Sequence, residues 1–199
     1  MIGIINYKAG NLASVANALN RLGSEFIITS DVSVLDAANG IIFPGVGHAK
    51  PAMESLRENQ LDTWLQNTTK PVLGICLGMQ LLFTSSKEGE TECLDIVEGR
   101  LEKFDARQDK VPHMGWNICS DMNSHPLLQE IFAKDYFYYV HSYYAPVTTH
   151  CIGNCTYAGV EFASIVAKDN FMGVQFHPEK SGKTGEKLLS NFLDMVRSA

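Results

Sequence analysis

The chain lacks a long apolar run: no hydrophobic stretch approaches the roughly 18 residues needed to span a bilayer as a helix. It also lacks a basic surplus. Lys and Arg number 16 against 22 Asp and Glu, for a net charge of −6, which disfavours a nucleic-acid backbone as partner. Cysteines are few. The five, at positions 76, 93, 119, 151 and 155, are odd in number and irregular in spacing, so no disulfide framework is expected. The opening Met1-Ile2-Gly3-Ile4-Ile5-Asn6-Tyr7 has neither a basic n-region nor a small-residue cleavage site. We therefore expect a cytoplasmic protein with no membrane partner. Internal repeats, low-complexity tracts and linkers are absent as well. The 199 residues, 45% of them hydrophobic, suffice for one domain spanning 1–199.

The first half alternates strand and helix signals. Ile2 to Asn6, Phe26 to Thr29, Gly40 to Phe43 and Pro71 to Ile75 are short apolar runs suited to buried parallel strands. Between them, Leu12, Val15, Ala16, Leu19 and Leu22 recur at helical spacing, as do Met53, Leu56, Leu61, Trp64 and Leu65, with a break near Asn59. Met79 to Phe83 reads as the opening of a further helix. The second half differs. Segments 97–104, 111–118, 136–144, 149–157, 160–167 and 171–176 are rich in β-branched and aromatic residues and read as strands, several of them antiparallel. Leu188, Leu189, Phe192, Met195 and Val196 then mark an amphipathic C-terminal helix. The predicted fold is α/β: a central, mostly parallel sheet with helices on both faces and added antiparallel strands in the second half.

Three segments carry chemistry. Cys76 lies in Gly74-Ile75-Cys76-Leu77-Gly78-Met79-Gln80, directly after a buried strand. A free thiol titrates near 8.5, so an attacking thiolate needs help, and a strand-to-helix turn offers the N–H groups of a helix start. Small residues on both sides suit a tight junction, the layout of a nucleophile elbow. The bland alternative is a buried structural cysteine. The second segment is His177-Pro178-Glu179. Pro178 biases His177 toward extended backbone, and residues i and i+2 of extended chain point to one side. One imidazole nitrogen can then face the cysteine while the other meets the carboxylate. Alone this would be an exposed His–Glu pair; with Cys76 it completes a Cys-His-Glu set. The third segment is Pro44-Gly45-Val46-Gly47, at the carboxyl end of the third predicted strand. Its backbone could supply an oxyanion donor from Val46 or Gly47, with the Leu77 N–H as another; a plain glycine turn explains the segment equally well.

Other patterns are discounted. Gly182-Lys183-Thr184 imitates the end of a phosphate loop, but the required first glycine falls on His177. His141, His150, Cys151 and Cys155 fit no strong zinc spacing, and we expect no metal and no cofactor.

Together the elbow, the His-Pro-Glu segment and the glycine loop resemble the class I glutamine amidotransferases, whose fold is flavodoxin-like. Asn6 to Val15, Phe43 to Gly47, Val111-Pro112-His113-Met114-Gly115-Trp116-Asn117 and Phe176 to Ser181 further resemble, within that class, the glutaminase-subunit family of imidazole glycerol phosphate synthase in histidine biosynthesis. The resemblance implies that Cys76 attacks the side-chain amide of L-glutamine, His177 shuttles the proton and Glu179 orients His177. It implies substrate contacts from Gln80, Glu88, Ser142 and Tyr143. It implies a heterodimer with a barrel-shaped cyclase subunit that receives the ammonia, with Trp116 and Lys180 at the interface. It also implies gating, with Pro44 to Gly47 as the switch. His48-Ala49-Lys50 stands where an aromatic is common in the family, and Glu186 where a leucine is common. Rival readings are a glutaminase of the anthranilate synthase type, a non-catalytic module of the same fold, and a cysteine peptidase.

Overall fold

A computed structural model describes residues 1–7 and 10–198. Lys8 and Ala9, within the Asn6-to-Val15 segment, lie outside the described residues. The elements run β1 (Ile2–Ile5), α1 (Leu12–Arg21), β2 (Phe26–Thr29), α2 (Val32–Asp36), β3 (Gly40–Gly45), α3 (Ala49–Glu58), α4 (Leu61–Asn67), β4 (Val72–Cys76), α5 (Leu77–Leu81), β5 (Phe83–Ser86), β6 (Thr91–Glu92), β7 (Val97–Lys103), β8 (His113–Ile118), β9 (Tyr136–His141), β10 (Tyr143–Tyr144), β11 (Cys151–Tyr157), β12 (Val160–Lys168), β13 (Phe171–Val174) and α6 (Gly182–Ser198).

The main sheet has seven strands in the order β11-β12-β13-β4-β3-β1-β2. The five strands from β2 to β13 are mutually parallel, and β12 and β11 extend the sheet antiparallel beyond β13. The order reverses beside β1, so the carboxyl ends of β1 and β3 open a crevice of the kind in which doubly wound sheets hold ligands. Alternate residues of each strand enter different cores. Ile2, Ile4, Ile42, Leu73 and Ile75 pack with Val15 and Leu19 of α1 and Leu188, Leu189 and Phe192 of α6. Ile5, Ile41, Phe43 and Val72 pack with Leu35 of α2, Met53 and Leu56 of α3 and Leu61 and Leu65 of α4. That period of two, sorted into two helical layers, is why these strands read as unbroken apolar runs.

Several expectations are corrected. The helix expected over Met79 to Phe83 is a five-residue α5 that ends at Leu81, and Phe83 instead begins β5. Phe83-Thr84-Ser85-Ser86 favours an extended chain, and it pairs with β6 and β7. The segment expected as one strand over 136–144 divides. β9 pairs with β8 in a two-stranded sheet, while β10 joins β7 in a second, four-stranded sheet. The break near Asn59 is present: Gln60, at φ 57°, separates α3 from α4. The short α2 and β6 gave no periodic signal.

Candidate active site

Cys76 closes β4 and precedes α5 with φ 54° and ψ −109°, a strained conformation for a residue with a side chain. The strain is held by crowding. A Cβ on Gly78 would fall 1.8 Å from the carbonyl oxygen of Phe43, and one on Gly45 would fall 2.3 Å from the Tyr7 hydroxyl. Only glycine lets β3, β4 and α5 meet this closely. The helix start expected to help the thiolate is present but short, so its dipole is weak and the unpaired N–H groups of the first turn matter more.

His177 is extended, at φ −102° and ψ 95°, as its place before a proline requires. The residues after it are not. Pro178–Lys180 form a 3-10 turn with proline at its first position. Glu179 therefore reaches His177 by a turn and not by strand alternation, a correction to the expected geometry. The result is the same pair: Nδ1 of His177 lies 2.8 Å from Oε1 of Glu179, with both side chains 2% exposed. The turn is fastened on two sides. Ser181 Oγ donates to the His177 carbonyl at 2.6 Å, and a Cβ on Gly185 would strike the Pro178 carbonyl at 1.9 Å. His177 Nε2 makes no hydrogen bond by distance and angle. Burial pulls the imidazole down, but the Cys76 thiolate and the Glu179 carboxylate outweigh it and hold His177 at about 10.

A cavity of about 440 Å³ opens above the sulfur. Its lining includes Val46, Gly47, Cys76, Leu77, Gln80, Glu88, Ser142 and Tyr143, so every expected oxyanion and substrate residue borders one space. His177 and Glu179 sit behind Cys76, outside the lining. Gly47 has φ +105°, in the left-handed region. Glu88 Oε2 accepts from the Ala49 N–H at 2.7 Å, and its Oε1 lies 3.2 Å from His48 Nδ1. Gln80 uses both amide hydrogens on the protein, at 2.9 Å to the Tyr143 carbonyl and 2.9 Å to Gln175 Oε1.

Two expected interface residues lie away from the cavity. Lys180, the last residue of the 3-10 turn, is exposed. Trp116 is 55% exposed on β8, with Met114, Ile118 and Tyr136 also exposed on the β8–β9 ribbon. Of the discounted cysteines, Cys151 donates to Asn154 Oδ1 at 2.7 Å and Cys155 to the Thr156 carbonyl at 3.9 Å. No cluster of metal ligands occurs among the described residues, and no described helix is long and apolar enough to cross a membrane. Lys103, His141 and Gln175 border or back the site and were not singled out as site residues from sequence. Gln175 stands two residues before His177, and only the fold shows which way its amide points.

A cysteine on a strand-to-helix elbow, a buried His–Glu pair and a flavodoxin-like sheet define a class of protein, and the sequence profile of "Glutamine amidotransferase class-I" matches residues 4–196. The chain belongs to that family and is a glutamine-hydrolysing enzyme. Among its relatives is the imidazole glycerol phosphate synthase subunit HisH of Bacteroides fragilis (strain YCH46), 47% identical over 98% of this chain and 99% of its own length. The protein of the same name from Archaeoglobus fulgidus is 41% identical over 99% of this chain and 100% of its own. At these identities the chain falls within the HisH branch of the class. The crystal structure of a putative GMP synthase component from Thermoplasma acidophilum shares the fold at TM-score 0.76 and 18% identity, covering 99% of this chain and 94% of that one.

Proposed function

We propose that this chain is the glutaminase subunit of an imidazole glycerol phosphate synthase and that it works through Cys76, His177 and Glu179. The single observation that carries the mechanism is the buried 2.8 Å His177–Glu179 pair behind a cysteine held at φ 54°. The thiolate adds to the side-chain amide carbon of glutamine. His177, already protonated, gives its proton to the leaving nitrogen, and ammonia departs. His177 then takes a proton from water, the hydroxide attacks the thioester, and glutamate leaves as the sulfur is freed. Glu179 holds Nδ1 of His177 through both steps. The negative oxygen of each tetrahedral intermediate is stabilised by N–H groups of Leu77 and of the Val46–Gly47 loop, whose glycine can turn its peptide at little cost. Glu88 meets the α-ammonium group and gives up His48 to do so. Ser142 and Tyr143 line the substrate's path.

The ammonia goes to a cyclase partner docked on the β8–β9 ribbon, with Trp116 as anchor and Lys180 at its rim. Trp116 pairs across the ribbon with Tyr138. The Tyr138 carbonyl accepts from the His177 N–H at 2.9 Å, and the Tyr138 N–H donates to Ser181 Oγ at 2.9 Å. Docking would thus press on the strand that holds the catalytic histidine, which supports activation by the partner. Glutamate production is measured with the chain alone, with cyclase, and with cyclase plus its nucleotide ligand, each beside a Cys76→Ala control. The expected result is a large rise only in the third state, absent in the control. Full turnover by the free chain would remove the gating; no turnover in any state would remove the assignment.

A further inference from the structure

Gln175 is wholly buried, yet its amide has a job that the triad does not describe. Its Nε2 lies 3.8 Å from the Sγ of Cys76, within reach for a hydrogen bond to sulfur. The direction of that contact follows from its neighbours. A backbone carbonyl can only accept, so the Tyr143 oxygen must receive the amide hydrogen of Gln80 at 2.9 Å. The same Gln80 amide donates its second hydrogen to Gln175 Oε1 at 2.9 Å. With its oxygen committed there, Gln175 has only N–H to present to the sulfur.

The Tyr143 carbonyl has a second donor, Nδ1 of His141 at 2.8 Å. His141 is 5% exposed, and burial pushes its imidazole down to about 3. A neutral His141 with hydrogen on Nδ1 must accept at Nε2, so the hydrogen in the 3.0 Å contact with His113 belongs to Nδ1 of His113. His113 is buried as well, and burial lowers it to about 4, with Asp109 opposing. It is stacked between Tyr157 at 3.9 Å and Tyr139 at 4.8 Å. Its Nε2 then accepts from Asn117 Nδ2 at 3.3 Å, and Asn117 also donates to the Thr156 carbonyl at 3.1 Å. Each donor direction in the series is consistent with the next. It runs from Asn117, beside Trp116 on β8, to the reacting sulfur.

We infer that Gln175 is a positioning residue that donates a hydrogen bond to the Cys76 thiolate, held in that orientation by the polar series Gln80, Tyr143 carbonyl, His141, His113 and Asn117. A donor that stays on the thiolate favours the charged form of the nucleophile and fixes its rotamer. The other titratable groups around the sulfur are Tyr7, from the loop after β1, and His177, from the 3-10 turn, with His141 on β9, Tyr143 on β10, Lys103 on β7, His48 and Glu88 lining the same cavity. The inference rests on the glutaminase reading only for its use, because the donor acts on the sulfur whatever the substrate.

The experiment is the rate of Cys76 alkylation by iodoacetamide against pH in the full chain, site-resolved by mass spectrometry. Gln175→Glu keeps the shape and removes the donor. The expected outcome is a midpoint about one pH unit higher, with alkylation roughly tenfold slower at pH values below both midpoints. Gln175→Met, which keeps length without charge, should slow it less and in the same direction. His113→Phe, remote from the sulfur and able to fill the slot between two tyrosines, should give a smaller slowing again. Should Gln175→Glu not fold, Gln175→Met decides. Unchanged profiles in the Gln175 variants that fold would overturn the inference. Labelling by a glutamine-mimicking electrophile in the assembled complex separates the two claims. A Cys76 that answers to Gln175 but never takes the mimic keeps the donor and loses the glutaminase.

Discussion

The two walls of the cavity are built by different means. On one side stand the elbow and the Pro44-to-Gly47 loop, the carboxyl ends of adjacent strands β4 and β3. Their shape is local: one strained cysteine and glycines at 45, 74 and 78, at each of which an added Cβ would meet backbone within 3 Å. On the other side stand β9 and β10, with Val140, His141, Ser142 and Tyr143. That wall is held by side chains remote in sequence: Gln80 donates to the Tyr143 carbonyl and to Gln175 Oε1, and His141 meets His113, which Asn117 reaches in turn. At Gly45, Gly74 and Gly78 the first wall has no room for a methyl, whereas Gly47 stands open. The crowded wall carries Cys76, and the hydrogen-bonded wall connects the cavity to an exposed ribbon.

The comparison can be broken in order of effect. Cys76→Ala should lower glutamine turnover in the assembled enzyme by about a thousandfold or more, since the covalent route is lost; residual turnover near wild type would mean that another group attacks. Gly78→Ala comes next. Its methyl would meet the Phe43 carbonyl, so urea unfolding should show a loss of at least about 2 kcal/mol, or no soluble protein. An unchanged midpoint would show that the elbow wall yields.

The hydrogen-bonded wall is tested by pH. His141 and His113, lowered to about 3 and about 4, contribute stability that is present above the unfolded value near 6.5 and lost as pH falls toward those values. His177, raised to about 10, contributes stability that is complete below 6.5 and lost as pH rises through 10. Nitrogen-15 spectra should show two imidazoles neutral at pH 5 and one still charged at pH 8. A charged His141 at pH 5 would cancel the second wall as described. The smallest effect belongs to Trp116→Ala. On the 55% exposed ribbon it should move the stability of the free chain by under about 0.5 kcal/mol, while weakening cyclase binding measured by calorimetry.

What could be read in advance follows the same division. Cys76 and His177 were legible because each lies in a short segment whose neighbours announce its conformation. The parallel strands were legible because burial on both faces leaves unbroken apolar runs. Phe83 was misjudged because a five-residue helix and the strand after it share one apolar stretch, and pairing with β7 decides where one stops. Glu179 was placed correctly for the wrong reason, since a proline that begins a 3-10 turn looks in sequence like one that extends a strand.

Sequence alone therefore determined the cysteine elbow, the extended His177 and the sheet that brings them together, because those depend on backbone conformations that a few adjacent residues impose. Only the tertiary structure decided that Gln175 points at the sulfur, that two histidines share one hydrogen bond and that Trp116 stands outward beside Asn117. Those facts depend on which distant side chains meet, and hydrogen-bond direction is settled by the partner and not by the residue itself.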